Sequence, residues 1–462
     1  MSKTTRCGLI TGCLLATLAI RPVATAGEST TRTTRPNVLF LFSDDQRFDT
    51  IHALGNPHIK TPNLDRLAAT GFVFRNAYCM GSMSGAVCYP SRAMLMSGRS
   101  LWHTPGNLEG VSIWPETMKN AGYATFGTGK WHNGPKAYAR GFTHGGAIFF
   151  GGMSDHLKVP IHDFDPAGKY PRKNRRIGEK FSSELFADAA IDFLENHAGG
   201  KPFFMYVAFT APHDPRMPPE PFRKMYDPDR IPLPKNFLPR HPFDNGEMRI
   251  RDEALAPWPR TPEIIRRHIA EYYGMITHMD AQIGRILAKL DQTGHADDTI
   301  ILFSSDHGLS VGRHGLLGKQ NLYEHGMRPP LIFIGPDIPR GESDALVYLY
   351  DLFPTTCDLA GLPIPESVEG KSLVPIIRGQ CQRVRDSILG AYKHVQRMVR
   401  QPRWKLIKYN VGGVKTTQLF DLENDPWEID NLADDPACRE HRKRLEALLE
   451  KSRKKADDPV DF

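Results

Sequence analysis

Four short apolar runs in the first two thirds of the chain each lead into ionisable side chains. They span residues 38–42, 123–126, 203–209 and 300–303. The side chains that follow are, in the same order, Asp44 and Asp45, Lys130 and His132, His213 and Asp214, and Asp306 and His307. Such runs are typical of parallel strands buried on both faces, and the carboxyl ends of parallel strands lie at one edge of a sheet. The pattern therefore predicts that these side chains converge at that edge.

Longer segments between the runs carry apolar side chains at helical spacing. Residues 182–197 and 263–293 have apolar positions every three or four residues, and the second segment stops at Gly294. Strands that alternate with helices predict an α/β fold. We therefore expect a large domain over residues 37–380, with a mixed, mostly parallel sheet between helices.

The end of the chain has a different pattern. Short apolar segments joined by turns are typical of antiparallel strands, and they span residues 387–392, 395–399, 404–409 and 418–422. A charged helix is predicted over residues 436–455, because Leu445, Leu448 and Leu449 lie on one face. Residues 381–462 are therefore predicted to form a small C-terminal domain, an antiparallel sheet with one helix.

The composition is that of an ordinary globular protein. Of the 462 residues, 40% are hydrophobic and 24% are charged, which excludes disorder, collagen and coiled coil as the main architecture. The formal net charge of +7 is too small for this length to indicate nucleic-acid binding. The cysteines are too scattered for a disulfide scaffold, and neither a Cys-x-x-Cys nor a His-x-x-x-His pair indicates zinc.

The N-terminus has the three parts of a secretory signal. Basic residues precede an apolar stretch of 12 residues at 9–20, and Ala24-Thr25-Ala26 supplies the small residues of a cleavage site. We therefore expect residues 1–26 to be a signal peptide that is cleaved after Ala26, and the mature protein to be secreted or periplasmic.

Two further expectations concern the same region. Residues 27–36, rich in Thr and Arg, are predicted to be a flexible arm. The apolar stretch is too short to cross a bilayer, which needs about 20 residues, and no later run is apolar enough, so no transmembrane segment is expected. A lipoprotein cleavage site at Cys13 is the alternative, although little apolar sequence precedes it.

The segment Cys88-Tyr89-Pro90-Ser91-Arg92 predicts a helix that begins at a cysteine. Pro90 suits the first turn of such a helix, and Gly98 suits its end. Cys88 would then lie at the helix N-terminus, where unpaired N–H groups favour an anion, and Arg92 lies one turn further along. A buried structural cysteine and a disulfide with Cys79 remain alternatives.

The pattern Cys88-x-Pro90-Ser91-Arg92 resembles the signature of the formylglycine-dependent sulfatases, within the alkaline-phosphatase-like superfamily. Further matches follow in the order of that family: Asp44-Asp45, Gly129-Lys130-Trp131-His132, Pro212-His213, Asp306-His307-Gly308 and Gly312-x-His314-Gly315-Leu316-x-Gly318-Lys319. Residues 419–426 and 431–432 resemble the C-terminal domain of the family. The resemblance covers about residues 37–450, and it implies the α/β fold and an enzyme that hydrolyses sulfate esters.

The resemblance implies a modified cysteine and a metal ion. In that family a formylglycine-generating enzyme oxidises the cysteine to formylglycine (3-oxoalanine), and the ion is usually Ca²⁺. The implied metal ligands are Asp44, Asp45, the modified Cys88, Asp306 and His307. His307 stands where the family more often has Asn, and imidazole is a softer ligand than an amide oxygen. Capping of a helix is the alternative role for Asp44 and Asp45.

The resemblance also implies catalytic roles. One hydroxyl of the hydrated formylglycine attacks sulfur, and His213 or Lys319 protonates the departing alcohol. His132 then takes the proton from the second hydroxyl, which expels sulfate and restores the aldehyde. Arg92 and Lys130 hold the hydrate, while Lys319 and His213 bind sulfate oxygens.

Four more residues are candidate substrate contacts: His103, Asp214, Arg216 and His314. Asp214 and Arg216 follow His213 closely in the chain, and His314 lies within a matched motif. An ordinary Cys–His hydrolase would instead use the unmodified thiolate of Cys88. The cluster of metal-binding acids argues against that alternative.

The substrate class follows from one charged segment and from the family. Residues 169–176 include five basic residues, which in an exported protein could meet a polyanion such as a sulfated polysaccharide; a solvated loop is the other interpretation. The sequence therefore favours a sulfatase that acts on a sulfated carbohydrate. The alternatives are a phosphonate monoester or phosphodiester hydrolase of the same superfamily and, more weakly, a non-catalytic polyanion-binding protein.

Overall fold

The computed structural model describes Met1, residues 35–197 and residues 199–462. The predicted signal peptide, the alternative cleavage site at Cys13 and nearly all of the predicted arm lie outside the described residues. All elements named below belong to the unit Pro36–Phe462.

The strands, in chain order, are β1 (Asn37–Ser43), β2 (Phe72–Tyr78), β3 (Gly81–Ser82), β4 (Ala124–Lys130), β5 (His144–Phe149), β6 (Pro160–Ile161), β7 (Arg176–Ile177), β8 (Phe203–Ala208), β9 (Thr299–Ser305), β10 (Leu331–Ile334), β11 (Gly341–Tyr348), β12 (Ile388–Tyr392), β13 (Gln396–Arg400), β14 (Trp404–Val411) and β15 (Val414–Asp421).

The helices, in chain order, are α1 (Pro62–Thr70), α2 (Cys88–Ser97), α3 (Trp114–Asn120), α4 (Pro135–Gly141), α5 (Ser182–Asn196), α6 (Glu220–Arg223), α7 (Pro262–Gln292), α8 (Glu324–Met327), α9 (Leu352–Leu359), α10 (Val374–Ile377) and α11 (Arg439–Lys455). Among the described residues, none of these helices combines the length and the apolar character needed to cross a membrane.

The larger sheet has eight strands in the order β11-β2-β10-β9-β1-β8-β4-β5. Strand β10 pairs antiparallel with both of its neighbours, and the remaining pairs are parallel. The predicted α/β fold with a mixed, mostly parallel sheet is therefore confirmed. The four strands that end at the predicted polar side chains, β9, β1, β8 and β4, are consecutive in this order.

Strand β1 is buried along its whole length because helices cover both faces of the sheet. Phe40 points to the face that holds α3, where its ring lies 5.2 Å from that of Trp114. Leu39 and Leu41 point to the other face, where they share a core with the long helix α7 through Met279. Burial on both sides explains why the sequence of the strand is one continuous apolar run.

The second predicted strand is longer than its apolar run. Residues 127–130, expected to follow the strand, belong to β4, which continues to Lys130. The register of β4 against β5 shifts between Thr128 and Gly129, which marks a bulge. Glycine at this bulge permits the strand to continue. Gly129 has φ +79°, and a Cβ there would lie 1.9 Å from the carbonyl oxygen of Ala208. Only glycine fits this bulge, which ends the strand and aims Lys130 into the protein interior.

Gly129→Ala is therefore expected to destabilise the protein by at least about 2 kcal/mol more than Gly134→Ala. Both glycines have positive φ, but a Cβ at Gly134 meets nothing within 4 Å, so that control carries only the backbone strain of about 1–3 kcal/mol. Urea unfolding of the two variants measures the difference. Equal losses would mean that the close approach to Ala208 contributes nothing.

The smaller sheet has the order β15-β14-β13-β12-β3. Its four C-terminal strands pair antiparallel as predicted, and α11 packs on them through the buried Leu445 and Leu449. The fifth strand, β3, was missed: it pairs parallel with β12 and directly precedes the nucleophile segment. The C-terminal sheet is thus hydrogen-bonded to the chain that leads into α2. The domain boundary at residue 380 stays a prediction.

Candidate active site

The polar side chains at the ends of β9 and β1 meet the N-terminus of α2. Five groups, Asp44, Asp45, Cys88, Asp306 and His307, place their potential ligand atoms within 4.8 Å of one another, and all five are buried. Asp44 and Asp45 follow β1 in an irregular segment at which no helix begins, so helix capping is excluded as their role. The convergence that the strand pattern predicts is present in the structure.

Cys88 begins α2, and its thiol lies in the centre of this cluster. Its Sγ lies 3.1 Å from Lys319 Nζ, 3.2 Å from His307 Nε2 and 3.6 Å from Asp45 Oδ1. It forms no disulfide, and neither does Cys79. Burial and the neighbouring Asp44 carboxylate raise the pKa of the Cys88 thiol well above its ordinary value. A thiolate nucleophile is therefore disfavoured here.

Arg92, one turn further along α2, is fully buried at the base of the site. Its Nε donates to Asp306 Oδ2 at 3.1 Å, and its Nη1 donates to the carbonyl of Lys130 at 2.8 Å. Its Nη2 lies 3.6 Å from Asp44 Oδ1 and has no hydrogen-bond partner among the described residues. The guanidinium therefore ties the end of β4 to the acids and keeps one free donor.

Two lysines complete a balance of charge in the cluster. Lys130 Nζ lies 2.5 Å from Asp44 Oδ2, and Lys319 Nζ lies 2.9 Å and 3.0 Å from the two carboxylate oxygens of Asp45. With Arg92, three buried cations thus face three buried carboxylates. Buried charges persist only when they are paired in this way.

The donor set fits a hard divalent cation. His307 donates its Nδ1–H to the carbonyl of Gly308 at 2.9 Å, so the lone pair of Nε2 faces Cys88 and Asp45. Asp44 Oδ1 is buried without a hydrogen-bond partner among the described residues. Burial alone would raise the pKa of both Asp45 and Asp306. His213, Lys319 and His307 instead lower the pKa of Asp45 below its ordinary value, and His307, Arg92 and Lys130 do the same for Asp306. Ionised carboxylates are suitable ligands for such an ion, and the imidazole nitrogen adds a softer one.

Two histidines flank the cluster. His132 follows β4 with φ +69°, and its Nδ1 is buried without a described partner. Burial, Lys130 and Arg92 lower the pKa of His132 to about 2, so its ring is neutral. His213 follows β8 and donates its Nδ1–H to the carbonyl of Asp214 at 2.8 Å. Its Nε2 therefore faces the site, 3.8 Å from Asp45 Oδ2.

The four candidate substrate contacts lie in different places. His103 lies at the far end of α2 from Cys88 and contacts Glu369 and Asp457 at 2.7 Å and 2.9 Å. His314 is buried and stacks on Tyr323 at 3.9 Å. Arg216 donates to Nδ1 of His268 at 3.0 Å. Asp214 lies beside His213, with its Oδ1 3.4 Å from His213 Nδ1. A role of these four in substrate binding stays a prediction.

Sequence reasoning missed two tyrosines that support the site. The hydroxyl of Tyr206, in the middle of β8, lies 3.1 Å from Arg92 Nη1. The hydroxyl of Tyr272, in the apolar stripe of α7, donates to the carbonyl of Asp45 at 2.5 Å. Both occupy positions that the apolar pattern assigns to the core, and both are buried. The one indication in the sequence is that the hydroxyl of a buried tyrosine needs a hydrogen-bond partner.

Profile comparisons match most of the chain to known families. The sulfatase profile matches residues 36–362, and the profile of the C-terminal region of N-sulphoglucosamine sulphohydrolase matches residues 312–455. The two matches overlap and together span both sheets.

Individual relatives agree with these matches. An arylsulfatase of Clostridium perfringens is 31% identical, over 90% of this chain and 93% of that protein. An N-acetylglucosamine-6-O-sulfatase of Bacteroides thetaiotaomicron is 27% identical, over 96% of this chain and 91% of that protein. A solved structure of a protein in complex with its substrate D-glucosamine-2-N,6-O-disulfate superposes with a TM-score of 0.78 at 25% identity, over 92% of this chain and 99% of that chain. The chain therefore belongs to the sulfatase family, the enzymes that hydrolyse sulfate esters.

Proposed function

We propose that this sulfatase removes sulfate from a sulfated carbohydrate, with residue 88 as formylglycine and a calcium ion held in the buried cluster. The observation that carries the proposal is the position of Cys88 Sγ, which lies within 3.6 Å of Lys319, His307 and Asp45. A neutral, buried thiol is a poor nucleophile, whereas the same position suits a modified side chain.

Calcium would be held by Asp44, Asp45, Asp306 and His307 together with residue 88. When bound, the ion supplies positive charge close to the sulfate oxygens, where negative charge develops in the reaction. The carboxylates contribute hard oxygen ligands, and one of them, Asp44 Oδ1, accepts no hydrogen bond from the described residues.

Formylglycine supplies, as its hydrate, an oxygen nucleophile that a thiol does not. Around residue 88, Lys319 Nζ is close enough to bind an oxygen at that position. Arg92 has an Nη2–H without a hydrogen-bond acceptor among the described residues. Lys130 lies beside Asp44, the carboxylate that Arg92 Nη2 also faces. His132, whose buried Nδ1 has no described partner, is the candidate base for a proton of a bound hydroxyl.

The alcohol that leaves a sulfated sugar is a poor leaving group and needs a proton. His213 and Lys319 are the candidate donors, because His213 Nε2 and Lys319 Nζ both face Asp45 on the side of the nucleophile. Such a proton transfer contributes typically about 10²–10⁴-fold to the rate.

The carbohydrate class is supported by the relatives. One of them is named for sulfate on N-acetylglucosamine, and the similar solved structure holds a sulfated glucosamine. We further propose that the protein is exported, as the N-terminal signal pattern predicts, and that a formylglycine-generating enzyme converts Cys88.

A panel of substrates tests the proposal directly. Calcium-loaded protein with confirmed conversion of Cys88 is incubated with sulfated glycans, sulfated monosaccharides, an aryl sulfate and phosphonate monoesters. We expect sulfate release from at least one carbohydrate, measured by ion chromatography. Faster phosphonate cleavage than sulfate release would instead favour the alternative of a phosphonate monoester or phosphodiester hydrolase. Salt-sensitive glycan binding without turnover would favour a non-catalytic polyanion-binding protein.

The basic segment at residues 169–176 supports a polymeric substrate. Its five basic side chains are all exposed, and Arg176 pairs with Asp163 at 2.9 Å. The segment belongs to the excursion between β5 and α5, whose first residues border the site: a Cβ on Gly152 would lie 2.7 Å from His132 Nε2. We propose that an extended polyanion contacts both the segment and the site.

Reversing two of these charges, Arg172→Glu with Lys173→Glu, is expected to raise the KM for a sulfated polysaccharide about tenfold at low salt. The KM for a sulfated monosaccharide should not change, and the effect should fade at high salt because exposed charges are screened. Lys443→Glu with Arg444→Glu, an exposed pair on α11, is the control for net charge. Equal effects of the two double variants would contradict a specific role for the segment.

A further inference from the structure

Arg251 lies in the segment between β8 and α7 and is held by two buried acids. Its Nη1 donates to Asp214 Oδ2 at 2.5 Å, and its Nη2 donates to Asp214 Oδ1 at 3.1 Å and to Asp252 Oδ1 at 2.5 Å. The side chain of Arg251 is 44% exposed, whereas those of the two acids are each 6% exposed. An arginine fork is suited to fixing two carboxylates in one plane.

The first of these acids contacts His213. Asp214 Oδ1 lies 3.4 Å from His213 Nδ1, the nitrogen that also donates to the Asp214 carbonyl. The backbone carbonyl of His213 also has a partner, because His156 Nε2 donates to it at 2.9 Å. Asp214 thus holds the rear of the imidazole ring, and the opposite nitrogen, Nε2, faces the reaction centre.

The second acid leads to Lys319. Asp252 Oδ2 accepts from Gln320 Nε2 at 2.8 Å, and Gln320 Oε1 accepts the backbone N–H of Lys319 at 3.0 Å. Lys319 then extends its Nζ to within 3.1 Å of Cys88 Sγ. A hydrogen-bonded path therefore runs from Arg251 to the backbone N–H of Lys319, and the Asp214 carboxylate, bound by Arg251, lies 3.4 Å from His213 Nδ1.

We propose that Arg251 is a positioning residue that braces His213 and Lys319 together, through Asp214 on one side and Asp252 with Gln320 on the other. The proposal rests on the proposed function, in which these two residues supply the proton to the leaving oxygen. His213 and Arg251 lie towards opposite ends of the connection between β8 and α7, and Lys319 lies between β9 and α8, so the brace fixes their separation across the site.

This role has a kinetic signature that a purely structural one lacks. An aryl oxide whose conjugate phenol has a low pKa leaves without being protonated, whereas the oxygen of a sugar leaves only as it receives a proton. Loss of the brace should therefore harm poor leaving groups far more than good ones. A general loss of folding or of cysteine conversion would lower all rates by the same factor.

The experiment compares wild type, Arg251→Gln and Arg285→Gln as full-length proteins. Arg285 is a matched control, because it lies on α7 outside the site and is 47% exposed. It pairs with Asp188 of α5 at 2.7 Å. Each protein is assayed with a series of aryl sulfates of increasing leaving-group pKa and with a sulfated sugar. Mass spectrometry of the Cys88 peptide normalises every rate to the converted fraction, and a melting curve records folding.

Arg251→Gln is expected to lower kcat/KM about 100-fold for the poorest leaving group, with a loss at least about tenfold smaller for 4-nitrophenyl sulfate. Arg285→Gln should match wild type across the series. A uniform loss along the series, or no loss, would overturn the proposal. If Arg251→Gln does not fold, Asp252→Asn, which keeps the shape of the side chain, is measured on the same series with the same criterion.

The experiment distinguishes a failure of the role proposed for Arg251 from a failure of the proposed function. If the converted wild type releases sulfate from aryl esters but from no carbohydrate, the carbohydrate assignment is wrong. The aryl series still spans a range of leaving groups, so the comparison of Arg251→Gln with Arg285→Gln decides the role of Arg251 in that case as well.

Discussion

Cys88→Ala is expected to abolish sulfate release, with a loss of about 10⁴-fold or more, while the protein remains folded. The thiol is the side chain that would be converted, and it lies between Lys319, His307 and Asp45. Removing the nucleophile of a covalent mechanism typically costs on the order of 10⁶-fold in kcat. Alanine removes one sulfur atom and leaves α2 intact, so the cost in stability should be small by comparison.

Cys79→Ala is the matched control for this variant. Cys79 is also buried, and its Sγ lies 3.9 Å from Met327 Sδ, outside the acidic cluster. We expect Cys79→Ala to lose some stability but to keep sulfate release within about threefold of wild type. Sulfate release by folded Cys88→Ala at a rate near that of wild type would refute the assignment of the nucleophile.

Removal of the proposed calcium ion is expected to lower sulfate release on the order of 10³-fold and to lower the melting temperature by about 3 °C or more. Asp44→Asn should remove most of the response of both quantities to added calcium. The amide keeps the shape of the side chain and its oxygen can keep the contact with Lys130, but one buried cation loses its counter-charge, so the variant is compared only with itself, with and without calcium. Calorimetric melting curves with EDTA and with added calcium measure the shift.

Asp49→Asn is the control for loss of one acid near the site. Asp49 pairs with Arg47 and Arg313 and is not part of the metal-binding group. Its variant should be less stable than wild type but should keep the full rise in melting temperature on addition of calcium. The calcium site would be wrongly placed if Asp44→Asn kept the rise as well.

Most of what the sequence predicted about the site came from the polar side chains at the ends of the apolar runs. β1, β8 and β9 begin and end within two residues of the apolar runs, because strands buried on both faces have no polar positions inside them. The loop assignment at residues 127–130 was wrong, since the polar and glycine-rich end of β4 still pairs with β8 through Gly129. Strand hydrogen bonds belong to the backbone, and an apolar pattern does not report them there.

Contacts made by distant loops could not be predicted from the residue pattern. Lys319 follows no strand of the described sheet directly, and it was identified by family resemblance alone. His103 and His314 lie near matched motifs in the sequence, yet one contacts Glu369 and the other stacks on Tyr323. Proximity along the chain does not fix the direction of a side chain in a loop, because that direction depends on partners far away in the sequence.

The supporting layer of the site was the least predictable part. The sequence singles out Asp214 only as a candidate substrate contact, Asp252 is an ordinary acid in it, and their partner Arg251 stands in a polar segment without periodicity. Their association depends on how the long connection between β8 and α7 folds back over the site. Neither composition nor spacing contains that information.

The most direct test of the account relates sulfate release to the chemical state of residue 88. Samples with different degrees of conversion are prepared by varying exposure to a formylglycine-generating enzyme, and the converted fraction is measured by mass spectrometry of the Cys88 peptide. The account predicts that the rate of sulfate release from a sulfated carbohydrate is proportional to that fraction and vanishes when it is zero. A rate that is independent of conversion would contradict it.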